Sequence, residues 1–295
     1  RKYPSRAVGR GLIKKDGVYE FQTAYPYFEA QMSEYIKVIC SRLKNICSGS
    51  APKVPVLPEV VTISSVEEAI GRLSSVPVGI NKNNLEIATM DFKNNPVSII
   101  SSLDYYAERN FFRTFVKLLK KIPYQKIVVI DAAKMFNSTD VSENYINSNF
   151  DSIAQVVGKR YKEQKEIYDK NNFDNNALKN NKRNTYVIFG ISTFFSRISS
   201  DNKTDFCDAL MHSRELEVDN FIIVDSADGL KSFAYDDWYK NVVDTSEGLW
   251  LGNGITDQYA IKLLTTPREL REEIPESFGY VVHKGKASLV KLVVK

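Results

Sequence analysis

Val97-Ser98-Ile99-Ile100-Ser101-Ser102-Leu103-Asp104-Tyr105-Tyr106-Ala107-Glu108-Arg109-Asn110 is the stretch on which the reading of this chain turns. A short β-branched run enters it, and an amphipathic stretch leaves it with Phe111, Phe112, Phe115, Leu118, Leu119 and Ile122 on one face. Strand period therefore gives way to helix period across an eight-residue loop, 101–108. Other apolar runs at 76–80, 85–91, 127–130, 186–189 and 221–224 predict further strands, and helical stretches separate the later ones. Short Val- and Ile-rich runs joined by crossovers of about a dozen residues or more predict a parallel sheet covered on both faces, hence an α/β domain. Ligands in such a domain sit at the carboxyl ends of the strands, so the residues after each run are the candidates for chemistry.

Strand, eight-residue loop and helix is the layout of a phosphate-binding P-loop. That loop needs glycines so that backbone N–H groups can wrap phosphate, a lysine for the terminal phosphates, and a hydroxyl for magnesium. With Ser101 at the first glycine position, Tyr106 falls at the second, Ala107 at the lysine and Glu108 at the hydroxyl, with Ser102, Leu103, Asp104 and Tyr105 between. Asp104 and Glu108 would also face any triphosphate, and like charges 4 Å apart repel by about 4 kcal/mol at an effective dielectric of 20. The loop by itself equally describes a plain strand-to-helix turn in an unrelated α/β domain.

Composition narrows the class. Of 295 residues, 43% are hydrophobic and 26% charged, which excludes disorder and coiled coil. No window approaches the roughly 18 apolar residues of a membrane span, and no apolar core follows the charged N-terminus, so this stretch is expected to be soluble by itself. Forty basic against 36 acidic residues leave a net charge of +4, too mild to predict nucleic-acid binding. Cys40, Cys47 and Cys207 form no Cys-x-x-Cys pair, which fits a reducing compartment. His212 and His283 stand far apart without a ligand-spaced partner, and no metal site is expected.

The ends of the chain echo each other. Gly9-Arg10-Gly11-Leu12-Ile13-Lys14-Lys15-Asp16-Gly17-Val18-Tyr19-Glu20-Phe21 and Gly279-Tyr280-Val281-Val282-His283-Lys284-Gly285-Lys286-Ala287-Ser288-Leu289-Val290-Lys291 each read as strand, turn, strand. Residues 1–25 are accordingly expected to close a preceding module of the same kind. Residues 26–58 read as a linker: a helix over 27–47, then an extended connector holding Pro52, Pro55 and Pro58. The main domain occupies 59–295, and Ser64 with Glu67 predicts a capping box for its first short helix.

Several segments, in order and over nearly the whole chain, resemble the FtsK/SpoIIIE-type ATPases, in particular the last (third) module of the EssC-type motors of type VII secretion. Pro77-Val78-Gly79-Ile80 with Ile87-Ala88-Thr89-Met90-Asp91 resembles the hairpin ahead of the P-loop strand, and Ile127-Val128-Val129-Ile130-Asp131 the second core strand. The most diagnostic stretch is Glu247-Gly248-Leu249-Trp250-Leu251-Gly252-Asn253-Gly254-Ile255-Thr256-Asp257-Gln258, since the family carries a Gly-hydrophobic-Trp-hydrophobic-Gly run there. The resemblance implies a RecA-like P-loop NTPase fold, with a mostly parallel sheet flanked by helices, and the departures from the family pattern at 101–108 and after 189 imply a degenerate nucleotide site. Where the family ends its Walker B strand in acids, Tyr186-Val187-Ile188-Phe189 runs into Gly190 and Ile191. No catalytic residue and no cofactor are expected in this domain, ATP and magnesium belonging to other modules of the parent. Asp131 lies on another strand and is a weak metal candidate, while Asp225-Ser226, at the sensor position, is expected to cap the next turn.

The resemblance further implies a bacterial parent at the cytoplasmic face of the cell membrane. Its implied partners are the preceding ATPase module, secreted small helical-hairpin proteins or toxins, other secretion-system subunits, and other copies in a ring. The aromatic run 233–239 makes Tyr235, Trp238 and Tyr239 candidates for a partner contact, with a core role equally compatible. Arg109, Arg113, Lys117, Lys120 and Lys121 form a basic row that reads as a solvated face rather than a DNA or lipid contact. Two rival functions stay open: an active ATP-binding module with an unconventional pocket, and an FtsK-like DNA-translocase module.

Overall fold

The computed structural model describes residues 9–24, 31–46, 55–70, 75–123, 125–136 and 144–295. The chain divides into two units, Arg1–Pro55 and Val56–Lys295. The first holds an antiparallel hairpin of β1 (Arg10–Lys14) and β2 (Val18–Gln22), and the helix α1 (Met32–Ile46). Cys47 and the predicted first turn of that helix, 27–30, lie outside the described residues.

In the second unit the chain enters through α2 (Ile63–Val66), and the predicted capping box is displaced by two residues. Thr62 is the N-cap, and its backbone N–H donates to Ser65 Oγ at 3.3 Å. Ser64 and Glu67 do not form the box because the helix starts one residue before Ser64 and gives way to a 3₁₀ turn at Glu67.

The strands that follow are β3 (Ser75–Asn81), β4 (Ile87–Asp91), β5 (Val97–Ser102), β6 (Gln125–Asp131), β7 (Tyr145–Ile146), β8 (Arg183–Phe189) and β9 (Asn220–Ser226). The last three are β10 (Gly248–Leu251), β11 (Phe278–His283) and β12 (Lys286–Leu292). Among the described residues they form one ten-stranded sheet in the order β4-β3-β12-β11-β10-β5-β9-β8-β6-β7. Every pairing from β10 to β7 is parallel, and every pairing from β10 out to β4 is antiparallel. The terminal hairpin β11–β12 is thus an interior part of the sheet, while its echo β1–β2 is a two-stranded sheet of the first unit.

Long helices cover both faces, which is why the parallel strands read as continuous apolar runs. On one side α3 (Arg109–Lys120) buries Phe111, Phe112, Phe115, Leu118 and Leu119 against Ile100, Val129 and Val224. On the other, α4 (Phe150–Lys170), α6 (Ser200–Leu216) and α8 (Asp237–Asp244) pack on Ile99, Val128, Ile188 and Ile223. Two short helices, α5 (Ile191–Phe195) and α7 (Ala227–Lys231), follow β8 and β9 directly. Strand β9 therefore separates β5, which leads into the loop, from β8, as the RecA-like order requires. No described helix is long and apolar enough to cross a membrane.

Candidate functional site

The site is built at the carboxyl ends of β5, β9, β8 and β6. Ser101 and Ser102 close β5 in full burial, and Ser101 Oγ donates to the Asp225 carbonyl oxygen of β9 at 2.8 Å. In the loop that follows, Asp104 makes the turn. Its Oδ1 accepts the Tyr106 N–H at 3.0 Å, and its carbonyl accepts the Ala107 N–H at 3.3 Å. The Glu108 N–H goes to the Tyr105 carbonyl at 3.3 Å. Three successive N–H groups, the kind that a phosphate-binding loop turns toward its anion, are spent inside the loop.

Aromatic rings fill the space beside it. Tyr105 is buried, and its ring stacks on Tyr106 with centroids 4.7 Å apart. The half-exposed Tyr106 reaches across to the turn after β6, where its hydroxyl donates to the Ala133 carbonyl at 2.7 Å. Burial, and then the bond to Tyr106, pushes the Tyr105 phenol far above its ordinary pKa and keeps it neutral. Glu108 is also raised, by desolvation first and then by Glu276 and Asp104, so this rim is acidic. The opposite wall is the Gly252-Asn253-Gly254 turn after β10. The fully buried Trp250 anchors it by donating Nε1–H to the Asn253 carbonyl at 2.9 Å. Gly254, at φ 84°, lies so close to Leu103 that a Cβ would come within 2.9 Å of its Cδ1.

The end of β8 carries no carboxylate at its next two positions. Gly190 adopts φ 74°, and a Cβ there would meet Ala133 Cβ at 2.9 Å; Ile191 is fully buried. Ser192 then donates both its N–H and its hydroxyl to Asp225 Oδ2, at 2.8 and 2.7 Å. Ser226 Oγ accepts the Gly229 N–H at 3.0 Å and caps α7, as its sequence position implied. Asp131 is fully buried, and both its oxygens are occupied by protein donors: Met135 N–H at 2.7 Å, Phe136 N–H at 2.9 Å and the Tyr145 hydroxyl at 2.6 Å.

Among the described residues the loop presents Ala107 at the position of a phosphate-binding lysine, three of its N–H groups are bonded within the loop, and Gly190 and Ile191 follow the β8 end. Tyr106→Gly should cost about 1–2 kcal/mol in a denaturant titration, and Tyr106→Phe about 1 kcal/mol, through loss of the ring and of the Ala133 bond respectively. Unchanged midpoints in both variants would show that Tyr106 holds nothing closed.

The aromatic contact patch needs correction. Trp238 and Tyr239 are 2% and 5% exposed and pack on α8 against Phe195 and Phe233, because the amphipathic period of that helix turns them into the core. Tyr235, 89% exposed, is the surface residue of the three. Beside it lies a cleft of about 470 Å³ lined by Ala227, Tyr239, Val243, Tyr259 and Ala260, with Tyr259 itself 85% exposed. Sequence reasoning missed this cleft, although Tyr259 directly follows the diagnostic glycine-rich stretch.

No family model matches the chain, and no curated protein matches it. Solved structures do. The cytoplasmic domain of EssC aligns at a TM-score of 0.66 with 15% identity, covering 99% of this chain and 59% of that one. EssC ATPases 2 and 3 from Geobacillus thermodenitrificans align at 0.64 with 17% identity, covering 97% and 55%. Thermomonospora curvata EccC ATPases 2 and 3, in complex with a signal sequence peptide, align at 0.61 with 18% identity, covering 99% and 54%. The chain has the fold of a type VII secretion ATPase module. It spans a little over half the length of these EssC and EccC structures, and at such identities the likeness is one of RecA-like fold.

Proposed function

We propose that this chain is the nucleotide-free module of a type VII secretion motor, serving substrate recognition and regulation of export rather than ATP turnover. One observation carries the reading: Asp104 and Tyr105 consume three loop N–H groups, those of Tyr106, Ala107 and Glu108, of the kind that would wrap a triphosphate. Supporting it, Ala107 stands where the phosphate-binding lysine would be, and the β8 end is Gly190-Ile191. The EccC structure that shares this fold holds a signal sequence peptide. By analogy, the cleft between α7 and α8, which Asp228, Lys231, Lys240 and Asp244 line together with its apolar residues, is where an exported segment would sit, while the parent chain's other modules supply ATP hydrolysis at the membrane.

Calorimetric titration of magnesium-ATP into the chain should give no heat of binding at micromolar concentrations. Ala107→Lys should not create turnover, because phosphate wrapping, metal ligation and water positioning act as a unit. Micromolar binding by the unmodified chain, or hydrolysis by the single variant, would return the active-module alternative.

A further inference from the structure

The solvent face of α3 carries Arg109, Arg113, Lys117 and Lys120, all exposed, at intervals of four, four and three residues. At 1.5 Å per residue they form a straight row of about 16 Å. The helix contains no acidic residue, and among the described residues these four cations have no ion-pair partner. Lysines on α4 are treated differently, Lys159 and Lys165 each having an acid four residues on, at 3.9 and 3.7 Å. The four charges equal the whole formal net charge of +4, so the rest of the chain is balanced.

Two features restrict what can cover this row. The opposite face of α3 is fully buried through Phe111, Phe112, Phe115, Leu118 and Leu119, so the helix cannot roll to insert apolar side chains into a bilayer. The row is also short, about 16 Å, and bounded at both ends by acids: Glu108 precedes Arg109, and Glu67 pairs with Lys121 beside its far end. A polyanion that runs on past either end, whether DNA or a lipid surface, would bring its charges against those carboxylates; a helix acidic over only about three turns would not.

We propose that this face docks an acidic α-helix of a protein partner, laid alongside α3 with carboxylates at the same four- and three-residue intervals. Two helices share one rise per residue, so a partner with that pattern can satisfy every cation in a single register. Exposed ion pairs are individually weak, and the row works only by engaging several together, which makes spacing rather than total charge the determinant. The proposal does not depend on the state of the nucleotide loop.

The test uses the full chain and a labelled helical peptide with glutamates at the spacing of the row, followed by fluorescence anisotropy. The control peptide has the same composition with its glutamates spread around the helix. The aligned peptide should bind about tenfold more tightly or better, and binding should weaken as salt shortens the screening length. Arg113→Glu with Lys117→Glu should lose about tenfold or more with an unchanged circular dichroism spectrum, both positions being exposed. Absence of binding by the aligned peptide, equal binding of the two peptides, or retention by the double variant would overturn the proposal. So would tighter binding of a DNA duplex or of phosphatidylserine vesicles than of the aligned peptide.

Discussion

Asp131→Ala should lower the stability of the chain by about 3–5 kcal/mol in a urea titration. The carboxylate is completely buried and receives three donors, so its removal strands the Met135 and Phe136 N–H groups and leaves the Tyr145 hydroxyl only the Phe136 carbonyl at 3.0 Å. Asp131→Asn should recover only part of the loss, because its amide offers one accepting oxygen where two now accept. Magnesium should leave the unfolding midpoint of the unmodified chain where it is, since neither oxygen of Asp131 is free for a metal. A loss under 1 kcal/mol, or a magnesium-dependent midpoint that vanishes in the alanine variant, would replace this structural role with metal binding.

Asp219→Ala should cost a similar amount, about 3–5 kcal/mol, by leaving the Arg160 guanidinium unpaired in a partly buried position. Asp219 takes Arg160 in a two-point contact, Nε at 2.7 Å and one terminal nitrogen at 3.0 Å. It also accepts Asn184 N–H at 3.1 Å and Gln164 Nε2 at 3.3 Å, and Arg160 donates onward to the Lys182 carbonyl at 2.6 Å. The network ties α4 to the starts of β8 and β9. For a domain of this size the loss lowers the melting temperature by about 10 °C. Replacing both partners, Arg160→Met with Asp219→Leu, should recover much of it, because the pair then leaves no orphaned charge. If the double variant proves as unstable as Asp219→Ala, packing rather than an unpaired charge is responsible.

Much of the fold was legible in local pattern. The runs at 76–80, 97–100, 127–130, 186–189 and 221–224 all lie inside strands, since a strand buried on both faces needs β-branched residues wherever it sits. The run at 85–91 begins two residues late because Leu85 occupies φ 60° in the turn, a conformation its sequence neighbours do not announce. The aromatic run at 233–239 was ambiguous for a related reason. Tyr235 lies in the turn before α8, whereas Trp238 and Tyr239 sit in its first turn and Trp238 packs on Phe195 of α5, a contact between separated elements that the run itself does not announce.

The sequence by itself determined the α/β class, the strand–loop–helix at 97–120, the side-chain chemistry missing from that loop, and the acids missing after β8. All of these are properties of neighbours along the chain, set by period and residue type. Only the tertiary structure decided that Asp104 turns the loop's N–H groups inward and that Tyr106 bolts the loop to Ala133. It alone decided that Asp131 and Asp225 are consumed by donors from Tyr145 and Ser192, and that Tyr259 lines a cleft beside α8. Each of these joins residues from different elements or depends on a backbone turn. Hydrogen-bond directionality and close packing select such pairs only once the sheet has brought the strand ends together.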